Sequence, residues 1–89
     1  MDARARVARN VRRLRVEAGL SQEALAVDAE IDRTYVSRVE RGLENPTIAV
    51  LERIARAVGA DVVEMIVVPP SSRVRLPTLK PGRKPNRRR

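Results

Sequence analysis

Gln22, Arg33, Thr34, Ser37 and Arg38 bring amide, guanidinium and hydroxyl donors into one short stretch, and the apolar residues around them, Leu25, Ala29, Ile31, Val36 and Val39, fall at regular places. Two short helices joined by a tight turn require that interleaving. The apolar positions face inward where the helices cross steeply, and Ala26 is small where they touch closest. The donors are then left on the outward faces. The chemistry open to such a set is recognition: a guanidinium fork matches guanine O6 and N7, short hydroxyls permit close approach, and cations meet phosphates. Catalysis has no comparable footing. With no Cys, no His, no phosphate-cradling glycine loop and no carboxylate cluster at a cleft-like position, neither a nucleophile nor a base can be assigned. No enzyme activity, metal site or cofactor is expected.

The elements that must position these donors follow from helical spacing and from local stop signals. Val7, Val11, Leu14 and Ala18 recur on one face from Asp2 to Ala18, while Arg4, Arg6, Arg9, Arg12 and Arg13 lie mostly elsewhere, giving an amphipathic, arginine-rich first helix. Gly19 suits a left-handed cap, and Ser21 is an N-cap for a second helix from Gln22 to about Asp28. The turn runs from Ala29 to Asp32. Asp32 is expected to cap a third helix, Arg33 to Arg41, which Gly42 ends before a polar loop, Leu43 to Pro46. Thr47 caps a fourth helix whose buried stripe is Ile48, Leu51, Ile54, Ala55 and Val58, closed by Gly59, and Asp61 starts a short fifth helix.

Eighty-nine residues allow one small domain with a marginal core, so a homodimer would add useful burial. Phe and Trp are absent and Tyr35 is the single aromatic residue, which favours a helical bundle of Leu, Ile, Val and Ala. The dense apolar run Val62, Val63, Met65, Ile66, Val67 and Val68 is more than one small bundle can bury, making Val62, Val63, Met65, Ile66 and Val67 the expected dimer contact, with ordinary core as the alternative. The net charge of +8 is unevenly placed. Arg73, Arg75, Lys80, Arg83, Lys84, Arg87, Arg88 and Arg89 face no acid, whereas acidic and basic residues balance before Pro69. Pro69-Pro70 stops regular structure, and the Pro, Ser and Arg content beyond it is that of a disordered arm. That arm can add non-specific affinity by counterion release, insert an arginine into a minor groove, or simply solubilise the chain. The N-terminus lacks the apolar core of a signal peptide, and no run approaches the roughly 18 apolar residues of a membrane span, so a cytoplasmic protein without a membrane partner is expected.

SQEALA, DRTYVSRVERG and ENPTIAVLERIARAVG, at their spacing, resemble the lambda-repressor/Cro-like (XRE-type) helix-turn-helix family across about residues 4 to 68. Within it, the DRTYVS-x-VERG-x-x-NPTI stretch is most similar to controller-type regulators of restriction-modification systems. The resemblance implies an all-α, five-helix lambda-repressor-like DNA-binding and dimerisation domain in residues 1–68, and composition adds the disordered basic tail in residues 69–89. The resemblance further implies a homodimer on double-stranded DNA, at inverted repeats in promoters that often include its own, and a transcriptional role that is activating, repressing or both. Carried over residue by residue, Gln22 holds a phosphate, Arg33, Thr34, Ser37 and Arg38 face the groove, and Tyr35 touches DNA near the operator centre. Arg41, Asn45 and Thr47 complete the expected DNA-binding set. The resemblance also pairs Glu40 with a cation on the first helix, and Arg15 is the matching residue; such a pair is structural. Two departures stand out: Glu30 occupies the third turn position, usually Gly, and Glu44 precedes Asn45 where controller-type relatives tend to carry Arg.

Each of these residues has a plainer alternative. Arg33 reads a base or is a phosphate contact or solvated charge; Arg38 reaches bases, reaches phosphates or pairs with a nearby carboxylate. Thr34 and Ser37 are groove contacts or small surface residues, and Gln22 is a phosphate clamp backed by the free N–H groups of its helix. Tyr35 uses its hydroxyl on DNA or fills a core edge, while Asn45 and Thr47 are phosphate contacts or turn and cap residues. A competing function is an antitoxin or protein-interaction module that binds a protein partner through the tail and autoregulates through the helix-turn-helix. A third is general nucleic-acid binding driven by the arm. No small-molecule ligand is evident.

Overall fold

A computed structural model describes residues 2–69 of the chain. Four α-helices and one turn of 3-10 helix follow in order: α1 (Ala3–Glu17), α2 (Gln22–Ala29), α3 (Arg33–Glu40), α4 (Ile48–Val58) and the 3-10 helix Val62–Met65. The expected arm beyond Pro69 lies outside the described residues.

Local chemistry accounts for the helix ends. The side chains of Asp2, Ser21 and Thr47 accept from the backbone N–H of Ala5, Ala24 and Val50, capping α1, α2 and α4. Asp32 occupies the N-cap position of α3 in an extended conformation, but its side chain makes no capping hydrogen bond, which corrects the expectation for that residue. At their C-termini, α1, α3 and α4 each pass into a glycine in the left-handed region, at Gly19, Gly42 and Gly59. Glu30 does the same job after α2 at φ 59°, and it is the one non-glycine residue with positive φ among the described residues. Ile31 N–H then donates to the Ala26 carbonyl at 2.9 Å, closing the turn that sets the angle of α3. Arg53 on α4 braces this turn, its Nη2 donating to the Glu30 carbonyl at 3.3 Å. A side chain in that region costs on the order of 1 kcal/mol, so the brace holds a strained residue in place.

The core is aliphatic. Val7, Val11 and Leu14 of α1 meet Leu25, Ala26 and Ala29 of α2, Val36 and Val39 of α3, and Leu51, Ile54 and Ala55 of α4. Burying each of the larger side chains is worth about 1.5–3 kcal/mol, and this is the main force gathering the helices. Asn10 is fully buried within the apolar face of α1. Its Nδ2 donates to the carbonyls of Met65 at 3.0 Å and Val67 at 2.8 Å, and its Oδ1 accepts from Arg13 Nη2 at 3.2 Å. The amide thus pins the C-terminal segment to α1 while satisfying its own polar atoms.

Three further expectations change. The fifth element is a single 3-10 turn, capped by a reciprocal Asp61–Glu64 pair, and not a fifth α-helix. Met65, expected at a dimer contact, is fully enclosed in the core, because the Asn10 bonds draw its backbone against α1. Ile48 was expected in the buried stripe of α4 but is exposed, since it lies in the first turn where that stripe runs past the edge of the core.

Candidate nucleic-acid interface

The short helix α3 turns Val36 and Val39 into the core and so commits its opposite side to the surface. Thr34 lies three and four residues before Ser37 and Arg38, and the C-cap residue Arg41 lies three and four residues after Arg38 and Ser37, so all four share that outer face. Arg33, Thr34, Arg38 and Arg41 are exposed and Ser37 is half-buried. Arg33 stands at the first position of the helix, directly after the extended Asp32. Asn45 is exposed in the following loop, and Thr47 spends its hydroxyl on capping α4, Oγ1 accepting from Val50 N–H at 3.1 Å.

Behind this face an ion pair fixes α3 to α1. Arg15 donates from Nε to Glu40 Oε2 at 2.6 Å and from Nη2 to Oε1 at 3.1 Å, while its Nη1 donates to the Leu20 carbonyl at 2.8 Å. The side chains are 13% and 5% exposed. The hydrogen bonds to Glu40 hold the Arg15 pKa above its ordinary value against the opposing effect of burial, and the Glu40 charge adds to them. Gln22 joins the same carboxylate, its Nε2 donating to Glu40 Oε1 at 3.1 Å. Three helices are therefore tied at one carboxylate. This engagement of the Gln22 amide was not foreseen from the sequence, where the residue was read only as a phosphate clamp.

On the outer side, Arg38 takes the carboxylate alternative. Its Nε donates to Glu44 Oε2 at 2.6 Å and its Nη2 to the Leu43 carbonyl at 3.4 Å. The two charged side chains are 44% and 29% exposed, so the contact sits in solvent at the edge of the α3 face. Tyr35 is half-buried against the core, filling its edge. Burial raises its hydroxyl pKa from the ordinary 10.0, and the nearby Glu44 charge raises it further.

Away from α3, Val63 and Ile66 are exposed while Val62 and Val67 are half-buried, leaving an apolar strip on the C-terminal segment. Sequence reasoning missed Asn10 altogether. Its signal was a polar residue inside the Val7, Val11, Leu14 stripe, where helical spacing leaves no route to water. No group of three or more acidic, His or Cys side chains able to hold a metal occurs among the described residues. No helix there is long and apolar enough to cross a membrane.

Comparison with known proteins places these features in context. Residues 6–65 match a protein family described as a helix-turn-helix domain. The chain is similar to a hypothetical transcription factor of Neisseria meningitidis serogroup B, with 43% identity over 77 residues, spanning 86% of this chain and 72% of that protein. The crystal structure of the Neisseria factor superposes with a TM-score of 0.75, covering 84% of this chain and 85% of that one. Control protein C.BamHI of Bacillus amyloliquefaciens is 35% identical over 57 residues, 63% of this chain and 70% of its own. The restriction-modification controller protein C.Esp1396I, solved as a tetramer with its natural 35 base-pair operator, matches with a TM-score of 0.67 at 34% identity, covering 73% of this chain and 86% of that chain.

Proposed function

Since the chain belongs to the lambda-repressor/Cro-like (XRE-type) helix-turn-helix family, which includes restriction-modification controller proteins, we propose that it is a sequence-specific transcriptional regulator acting as a homodimer on inverted-repeat operators, its own promoter among them. The observation that carries this reading is the outer face of α3. Arg33, Thr34, Ser37, Arg38 and Arg41 crowd hydroxyls and guanidinium groups onto a helix whose other side is locked into the core. That combination presents donors to base edges on a rigid support, as direct readout in a major groove requires. The operator complex of C.Esp1396I supports the same use of the fold.

In this reading Arg33 reads a base from the N-terminus of α3, Thr34 and Ser37 allow close approach, and Arg41 and Asn45 meet the flanking backbone, joined by Thr47 through the hydroxyl hydrogen that the α4 cap leaves free. Gln22 contacts a phosphate through the amide hydrogen that Glu40 does not take. Tyr35 offers its hydroxyl near the operator centre. The second copy packs on the strip formed by Val62, Val63, Ile66 and Val67, and the two α3 helices enter successive major grooves about 34 Å apart. The basic residues beyond Pro69 add salt-sensitive, sequence-independent affinity.

Selection from a random duplex library by the full-length protein at near-physiological salt tests the proposal. An enriched inverted repeat with half-sites one helical turn apart is the expected outcome. Salt-sensitive binding with no enriched sequence would contradict it.

A further inference from the structure

Glu44 lies in the loop after α3, outside the two crossed helices, yet it holds one of the side chains on the outer face. Its Oε2 accepts from Arg38 Nε at 2.6 Å, and the neighbouring Leu43 carbonyl accepts from Arg38 Nη2 at 3.4 Å. Both contacts reach the guanidinium from the loop side, and Nη1 remains for an outside acceptor. A long arginine left to itself samples many rotamers, and ordering it on binding subtracts from whatever contact it makes. A carboxylate that orders it beforehand removes part of that cost.

The same carboxylate has an opposing effect. A negative charge at the edge of a face that meets phosphates repels them, and it cancels the cation it holds for purposes of non-specific attraction. Burial raises the pKa of the Tyr35 hydroxyl, and the field of Glu44 adds to that rise. An acid in this place weakens binding to any duplex while sharpening the choice among duplexes, a known route to specificity.

We infer that Glu44 is a specificity-determining positioning residue, which presets Arg38 to read one G·C pair of each half-site and lowers non-specific phosphate affinity in doing so. The inference rests on the reading of α3 as the recognition helix. Arg38 is the group that touches the base, through guanine O6 or N7. Glu44 acts only through Arg38.

The test compares full-length wild type, E44Q, E44D and R38A on the duplex selected by the wild type, on single-pair substitutions of it, and on an unrelated duplex. Thermal unfolding of each variant confirms that the fold is intact. For the wild type, substituting the pair read by Arg38 should weaken binding by about 5- to 150-fold, the range for one mismatched base pair. R38A should reduce that discrimination to less than about threefold, E44Q should reduce it by about two- to tenfold at the same pair, and both should leave other pairs unaffected. E44Q should also bind the unrelated duplex more tightly, by about two- to fivefold at low salt, while R38A binds it more weakly. E44D should restore much of the discrimination. A wild-type discrimination profile in E44Q overturns the inference, as does a loss in E44Q at a pair that R38A leaves alone. If the wild type itself prefers no sequence, the reading of α3 fails first and the inference falls with it.

Discussion

Replacing Glu40 with alanine should cripple folding well before it alters sequence preference. Arg15 is 13% exposed and donates twice to the Glu40 carboxylate, at 2.6 and 3.1 Å. Removal of the acceptor leaves a guanidinium that cannot shed its charge, retaining only the Leu20 carbonyl at 2.8 Å, and it takes from Gln22 its acceptor on the same oxygen. Breaking a buried pair on one side costs about 3–5 kcal/mol. The surviving Leu20 bond and partial access to water place this case at the lower end, about 3 kcal/mol. For a domain of this size that corresponds to a drop in Tm of about 12–24 °C, a large share of a total stability on the order of 5 kcal/mol. Urea unfolding followed by circular dichroism measures the loss directly. The double variant R15M/E40L is the control, because apolar replacement of both partners removes the unpaired charge and should recover to within about 1 kcal/mol of wild type. The reasoning is refuted if E40A costs less than about 1 kcal/mol, or if the double variant is no more stable than E40A.

Three further outcomes are expected. Glu30→Gly relieves the left-handed strain at φ 59° and should raise stability by about 0.5–1 kcal/mol, seen as a rise in Tm of a few degrees; a lower Tm would mean that the Glu30 side chain does more than occupy the turn. Asn10→Ala strips the Met65 and Val67 carbonyls of their donor, and should cost about 2 kcal/mol and speed proteolysis after α4, whereas unchanged protease resistance would show that the segment is held by packing alone. Tyr35 is the single tyrosine, so phenolate absorbance reports it alone, and its midpoint should lie above 10.0 and move down in E44Q. Because the folded form binds the phenol proton more tightly than the unfolded one, the associated stability is fully present below pH 10.0 and is lost as pH rises through the folded midpoint. Stability that rises over that range would contradict the direction of the shift.

The parts of this fold that were legible in the sequence are those written locally. Ser21 and Thr47 cap the helices that follow them, and Gly19, Gly42 and Gly59 end the helices before them, because each device needs only a few neighbouring residues. The committed side of α3 was legible for the same reason: Val36 and Val39 leave only one outer face. The run Val62 to Val68 was not, since a stretch that is apolar everywhere but Glu64 carries no clear period to say which residue turns inward. Met65 goes to the core through a bond to Asn10, a residue 55 positions away. The choice made by Arg38 was equally hidden. Base, phosphate and carboxylate all suit a guanidinium, and only the folded loop shows that Glu44 is within reach.

Hydroxyl-radical footprinting of the full-length protein on its selected duplex, with the protein-to-DNA stoichiometry measured by sedimentation, tests the central claim most directly. Two protein chains per inverted repeat should protect two patches on one face of the duplex about one helical turn apart, with both patches lost in a variant carrying R33A and R38A. Uniform protection without phase, or an unchanged footprint in that variant, would show that α3 is not the element that reads the DNA.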